Sequence, residues 1–324
     1  MRLSALSLLS AVLLLSACGP APVRPSEAPV PTATPAPEYG SRMELAILFR
    51  VAGDEIALSD PYGAALDSQG NVYITDSGNH RVLKFDSTGT LLAEWDETGN
   101  GPGQFRSLGF GGLAVDAQDN VFVVDNGNHR IQKFDRDGNF LAAWGQEGTG
   151  DGQFMRAIGI AVDTQGNVYV TDDANPFVQK FDNHGVFIMK WGGMGEDDGR
   201  FQHATGIAVD GGGNVYVADY ENRRVQKFDG QGGFLLAWEM GADIDSQGTP
   251  ECIAVDAQGR VYVTDYVLGR VQVFSGGGEP LWGFGAAGTG AGKFLRPVGI
   301  AVDPQGYIFV ADQAGNSLQA FKAP

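Results

Sequence analysis

From about residue 44 to the end of the chain, short apolar runs alternate with clusters of Asp, Asn and Gly, and the alternation has no helical period. One stretch shows the pattern clearly. Its runs are Leu113–Val115, Val121–Val124, Ile131–Phe134 and Phe140–Trp144, separated by turn-forming segments such as DAQDN and DRDGN. Runs this short, broken by residues that favour tight turns, predict four antiparallel strands and an all-β domain.

The pattern repeats. An aspartate ends the first run of each unit at Asp67, Asp116, Asp163, Asp210, Asp256 and Asp303, with spacings of 49, 47, 47, 46 and 47 residues. Nine residues after each stands a second aspartate (Asp76, Asp125, Asp172, Asp219, Asp265, Asp312), and nine further on a phenylalanine. Six units of this length with four strands each predict a six-bladed β-propeller rather than a solenoid, whose repeats are shorter or helical. Five units end in the chain's five tryptophans, Trp95, Trp144, Trp191, Trp238 and Trp282, and the sixth stops short of one. Phe49, 18 residues before Asp67, falls within the 18 to 21 residues that separate each tryptophan from the next aspartate. The strand around it is expected to complete the last blade and close the ring, leaving no open sheet array.

The segment GGLAVDAQDNVFVVDNGNHRIQKFD, Gly111 to Asp135, closely resembles the NHL repeat, and the resemblance extends over the whole repeated region. It implies a propeller whose variable inter-blade loops line one face around the central channel. It implies no activity, because one fold hosts many functions.

The first residues add an address. Arg2 precedes an apolar stretch from Leu3 to Leu15, and Leu15-Ser16-Ala17-Cys18 resembles a bacterial lipobox. Residues 1–17 are expected to be a lipoprotein signal peptide, and Cys18 the acylated residue. Residues 18–38 form a linker holding seven of the fifteen prolines, which in polyproline geometry would span roughly 60 Å. The propeller is then residues 39–324, outside the cytoplasm and anchored to the cell membrane or outer membrane. The formal net charge of −17 opposes nucleic acid as a partner. Cys252 is the only other cysteine, so the domain has no internal disulfide to lean on.

Candidate chemistry is sought where the repeat is broken. The aspartate rings read as structural: the first sits in a turn, and the second precedes by five residues an arginine in four units (Arg81, Arg130, Arg224, Arg270). His80 and His129, in repeat turns, read the same way. Three loops are markedly acidic: Asp54, Glu55 and Asp60; Glu196, Asp197 and Asp198; Asp243 and Asp245. They suit either a solvated rim or a hard cation such as calcium. The sharpest departure is Glu251-Cys252, because five units carry glycine (Gly63, Gly112, Gly159, Gly206, Gly299) where the fifth has Cys252. With His203 from the preceding loop, the pair could form a thiol-imidazole couple or a metal site; the plainer reading is a small buried thiol. The resemblance also extends to amidating lyases, whose zinc takes three histidines, but the four histidines here do not converge plausibly. No cofactor is therefore expected, with calcium or zinc as the exception to test. The expected function is a non-catalytic, membrane-tethered module that binds a protein, peptide or glycan on its loop face. The alternative is a metal-dependent hydrolase or lyase acting at the central channel.

Overall fold

The computed structural model describes residues 43, 45–52, 56–241 and 248–323, all within the compact unit that spans Glu38–Pro324. The expected signal peptide, Cys18, the linker, Asp54, Glu55, Asp243 and Asp245 lie outside the described residues. Six four-stranded antiparallel sheets follow one another along the chain. Blade 1 runs outward from Pro61–Leu66 through Val72–Asp76 and Arg81–Phe85 to Leu91–Trp95. In blade 2 the strands are Leu113–Val115, Val121–Asp125, Arg130–Phe134 and Phe140–Trp144, within one residue of the bounds that the apolar runs predict. Blade 6 is Pro297–Val302, Tyr307–Asp312 and Ser317–Lys322, with Ala46–Val51 as its outermost strand, Ala46 opposite Lys322 and Val51 opposite Leu318. The helical content of the described residues is two single 3₁₀ turns, Ser77–Asn79 and Asn126–Asn128.

The core lies between blades rather than within them. Each neighbouring pair shares one apolar cluster: Phe122 and Val124 of blade 2 pack with Val168 and Val170 of blade 3, and the other five interfaces repeat the arrangement. At the outer end of four interfaces, the tryptophan of one blade lies against the hairpin glycine of the next. A Cβ at Gly138 would stand 2.3 Å from Trp95 Nε1, and one at Gly185 would stand 2.4 Å from Trp144 Cδ2. Phe49 occupies the same place against Gly89, 2.7 Å from where its Cβ would be. The glycine is required twice over, since these hairpins also turn through positive φ, +82° at Gly185.

The aspartates hold the blades' turns and loops. Asp163 Oδ1 accepts the N–H groups of Gln165 and Asn167 at 2.9 and 2.8 Å, closing the turn after the inner strand. Asp219, fully buried, accepts the Gln202 N–H at 3.0 Å and Arg224 Nε at 2.9 Å, so it ties the incoming inter-blade loop to its own blade. The same arginine pair recurs at Asp76, Asp125 and Asp265. In blade 3 Phe177 replaces the arginine, and Asp172 accepts backbone N–H groups instead, from Met155 at 2.6 Å and Arg156 at 3.0 Å in the loop and from Ala174 and Asn175 after it. Without the cation, burial pushes the Asp172 carboxyl up.

Two glycines separate the effect of backbone conformation from that of the tryptophan contact. Gly213 and Gly185 share a φ of +82°, but a Cβ at Gly213 would meet nothing within 4 Å. Gly213→Ala is expected to cost about 1 kcal/mol, the left-handed penalty alone. Gly185→Ala should cost about 2 kcal/mol more, through displacement of the Trp144 indole. Urea midpoints of the two variants measure the difference, and equal values would remove the interlock from the account.

Candidate functional site

The inner strands carry a β-bulge that prepares the site. In blade 5 Pro250 pairs with Asp265 and Ile253 with Val263, so Glu251 and Cys252 together face a single residue, Thr264. Blades 1, 3, 4 and 6 shift register at the same place. The threonine hydroxyl opposite takes the freed N–H: Gly63 to Thr75 at 2.7 Å, Gly159 to Thr171 at 2.8 Å and Cys252 to Thr264 at 2.9 Å. A bulge releases side chains from strict alternation and re-aims them. Here the residue before the glycine is freed, and Tyr62, Ile158 and Val298 gather in a small apolar cluster of their own, with Cys252 and Tyr266 against it.

Above that cluster is a cavity of about 150 Å³, lined by Phe110, Ile158, Asp173, His203, Thr205, Tyr220, Glu251 and Tyr266. Its charged floor is Glu251, only 7% exposed. The Tyr62 hydroxyl donates a hydrogen bond to Glu251 Oε1 across the ring. Burial pushes the Glu251 carboxyl up to about 7; the tyrosine bond opposes the shift, and the charge of Asp173 adds to it. Asp173 is itself neutralised, through Arg156 Nε at 2.5 Å and Arg156 Nη2 at 2.7 Å. The walls are aromatic. Tyr220 and Tyr266 meet edge to face with ring centres 6.1 Å apart, Phe110 packs edge-on against Tyr62 at 5.7 Å, and the Arg296 guanidinium sits 5.6 Å over the Tyr266 ring.

Beneath lies a channel of about 50 Å³, lined by the five inner glycines and by Cys252. Burial, then the Glu251 charge, push the Cys252 thiol well above its usual value, the opposite of what an activated thiolate needs. The residues singled out from sequence thus separate. Glu251 and His203 share the cavity, while Cys252 belongs to the channel. Glu196, Asp197 and His203 border an adjoining open groove with Met194 and Glu221, where Gln202 Nε2 donates to Glu196 Oε1 at 2.8 Å. Asp198 makes an exposed pair with Arg224 at 3.6 Å. Among the described residues, no three His, Cys, Asp or Glu side chains are gathered as metal ligands would be.

Sequence reasoning did not single out Tyr62, Phe110, Asp173, Tyr220 or Tyr266. The signal was present. The residue before the inner glycine reads Tyr62, Gly111, Ile158, Thr205, Glu251 and Val298 around the ring, and the residue after the second aspartate reads Ser77, Asn126, Asp173, Tyr220, Tyr266 and Gln313. These are two positions that vary inside an otherwise fixed repeat.

Four segments of the chain, 58–85, 111–134, 201–228 and 248–274, match the NHL repeat. Comparison with curated proteins gives no match. Among solved structures, a streptogramin B lyase superposes with a TM-score of 0.59 at 15% identity, covering 87% of both chains. Virginiamycin B lyase from Staphylococcus aureus, an inactive variant solved with quinupristin, gives 0.61 at 11% identity over 87% of this chain and all of the other. A gluconolactonase from Xanthomonas campestris gives 0.60 at 19% identity over 83% and 88%. At such identities the likeness is one of fold. The architecture is a six-bladed β-propeller, and four of its segments match the NHL repeat.

Proposed function

We propose that this chain is an exported, membrane-tethered binding propeller, anchored through a lipid on Cys18, that receives part of a protein, peptide or glycan ligand in the cavity over Glu251. The observation that carries the ligand site is the state of Glu251. A carboxyl held away from water, with no arginine or lysine bonded to it among the described residues, destabilises the fold that contains it. Every other blade manages without an acid at this position. A cost confined to one blade, at the floor of a cavity on the loop-bearing face, fits a group kept for a ligand rather than for the scaffold. The tether rests on the Leu15–Cys18 motif and the proline-rich stretch that follows it.

The same carboxyl supports a second reading. With its pKa near 7 and a tyrosine hydroxyl on one oxygen, Glu251 is poised to give or take a proton near neutral pH, as a general acid or base in a lyase or hydrolase would. The lyase and gluconolactonase propellers it superposes on make such use of the scaffold a natural comparison. Envelope extract incubated with the full-length protein separates the two. Binding predicts a partner captured in stoichiometric amount by the native protein and lost in Glu251→Gln and Tyr220→Ala. A compound consumed over many turnovers by the native protein alone decides for catalysis, and capture unchanged in both variants would move the site elsewhere.

Radiolabelled palmitate should be incorporated in cells producing the native chain and not the Cys18→Ala variant; label in both, or in neither, removes the anchor.

Glu251 also predicts a pH dependence of stability. Its carboxyl holds a proton up to about pH 7 in the fold but only to about 4.5 when unfolded, so the folded state binds the extra proton between these values. The stabilising contribution is therefore whole below about pH 4.5 and is lost as pH rises through about 7, a change of about 3 kcal/mol. Glu251→Gln should flatten this slope relative to the native protein. Parallel pH profiles of the melting temperature would show that the group titrates elsewhere.

A further inference from the structure

We propose that the cavity over Glu251 takes an organic ammonium group, with the cation seated on the free oxygen of the Glu251 carboxylate and walled by the rings of Phe110, Tyr220 and Tyr266. This rests on the cavity being the ligand site and adds the charge its ligand must carry.

The Glu251 carboxylate has unfilled bonding capacity. Tyr62 serves Oε1, whereas among the described residues no N–H or O–H donates to Oε2, although the side chain is 7% exposed and borders the cavity. A buried carboxylate with a vacant oxygen calls for a donor from outside, and a charged donor most of all. Among the described residues, two arginines beside the cavity lining are engaged with other groups. Arg156 bonds Asp173 through Nε and Nη2, and Arg296 lies over the Tyr266 ring.

The walls favour a cation as well. Aromatic faces attract a cation electrostatically, and the attraction is strongest where water is excluded. Three rings and two acids, of which Asp173 is already paired with Arg156, surround about 150 Å³, room for an ammonium with a small alkyl or aryl substituent. An anion would meet Glu251 with nothing to neutralise it, and the chain's formal charge of −17 repels anions before they arrive. A neutral hydroxyl is the competing class, since it could bond to the protonated acid. It would gain little from the rings.

Calorimetry on the full chain with benzylammonium, its neutral isostere benzyl alcohol, and benzoate tests the charge directly. The ammonium should bind about ten-fold more tightly than the alcohol, with benzoate weakest. Glu251→Gln should abolish the ammonium's advantage, and Tyr220→Leu, on the wall and not the floor, should reduce it several-fold even if the first variant folds poorly. Equal or tighter binding of the alcohol or benzoate overturns the ammonium class and leaves the cavity as a ligand site. An advantage unchanged in both variants places the cation elsewhere and overturns the proposal. Binding of none of the three overturns this inference together with the cavity reading on which it rests.

Discussion

Crowding at the ring axis is the constraint from which the remaining features follow. Six sheets packed face to face around one axis leave almost no space between their inner strands and a wide gap between their outer ones. A Cβ at Gly299 would stand 2.1 Å from Tyr62 O, and one at Gly206 would stand 2.5 Å from Cys252 Cα. Glycine is needed there for close approach alone, and its φ is unremarkable. At the periphery the same wedge opens, and an indole fills it against the next blade's hairpin. The axial glycine and the peripheral aromatic are two ends of one packing solution, with Cys252 in place of the glycine in blade 5 and Phe49 in the sixth tryptophan slot.

The site grows from the same constraint. Because the inner strand cannot carry side chains toward its neighbours at the glycine, the bulge before it sends the preceding residue onto the loop-bearing face, and the threonine opposite covers the N–H so released. That residue differs from blade to blade. Around it, the buried aspartates and their arginines hold the loops, so Tyr220, Tyr266 and Asp173 stand on a rigid rim directly after those aspartates. A frame of this kind lets one acid stay buried without a cation, because the rest of the ring can offset a few kcal/mol.

The fold leaves the chemistry open. Propellers that superpose on this one include lyases and a gluconolactonase, yet at 11 to 19% identity they share the frame and not the residues. What distinguishes this chain is local: one carboxyl with its proton affinity raised to about 7, one tyrosine hydroxyl bonded to it, and an aromatic wall. Binding and proton transfer both begin from such a group.

Blade count, strand order along each repeat and the structural role of both aspartate rings were legible from the chain alone, because each is enforced by local periodicity and repeated six times over. So was the departure at Glu251-Cys252, visible against five glycines. Its meaning was not. Sequence put Glu251, Cys252 and His203 together as one candidate centre, whereas the bulge sends the acid up into the cavity and leaves the thiol in the channel below. Nor did sequence pair Glu251 with Tyr62, 189 residues away, or draw Phe110, Tyr220 and Tyr266 to the same wall. The physical reason is that a repeat specifies each blade from within, by turns and alternation, while the cavity is made of single residues from different blades. Only closure of the ring about its axis brings them within reach of one another.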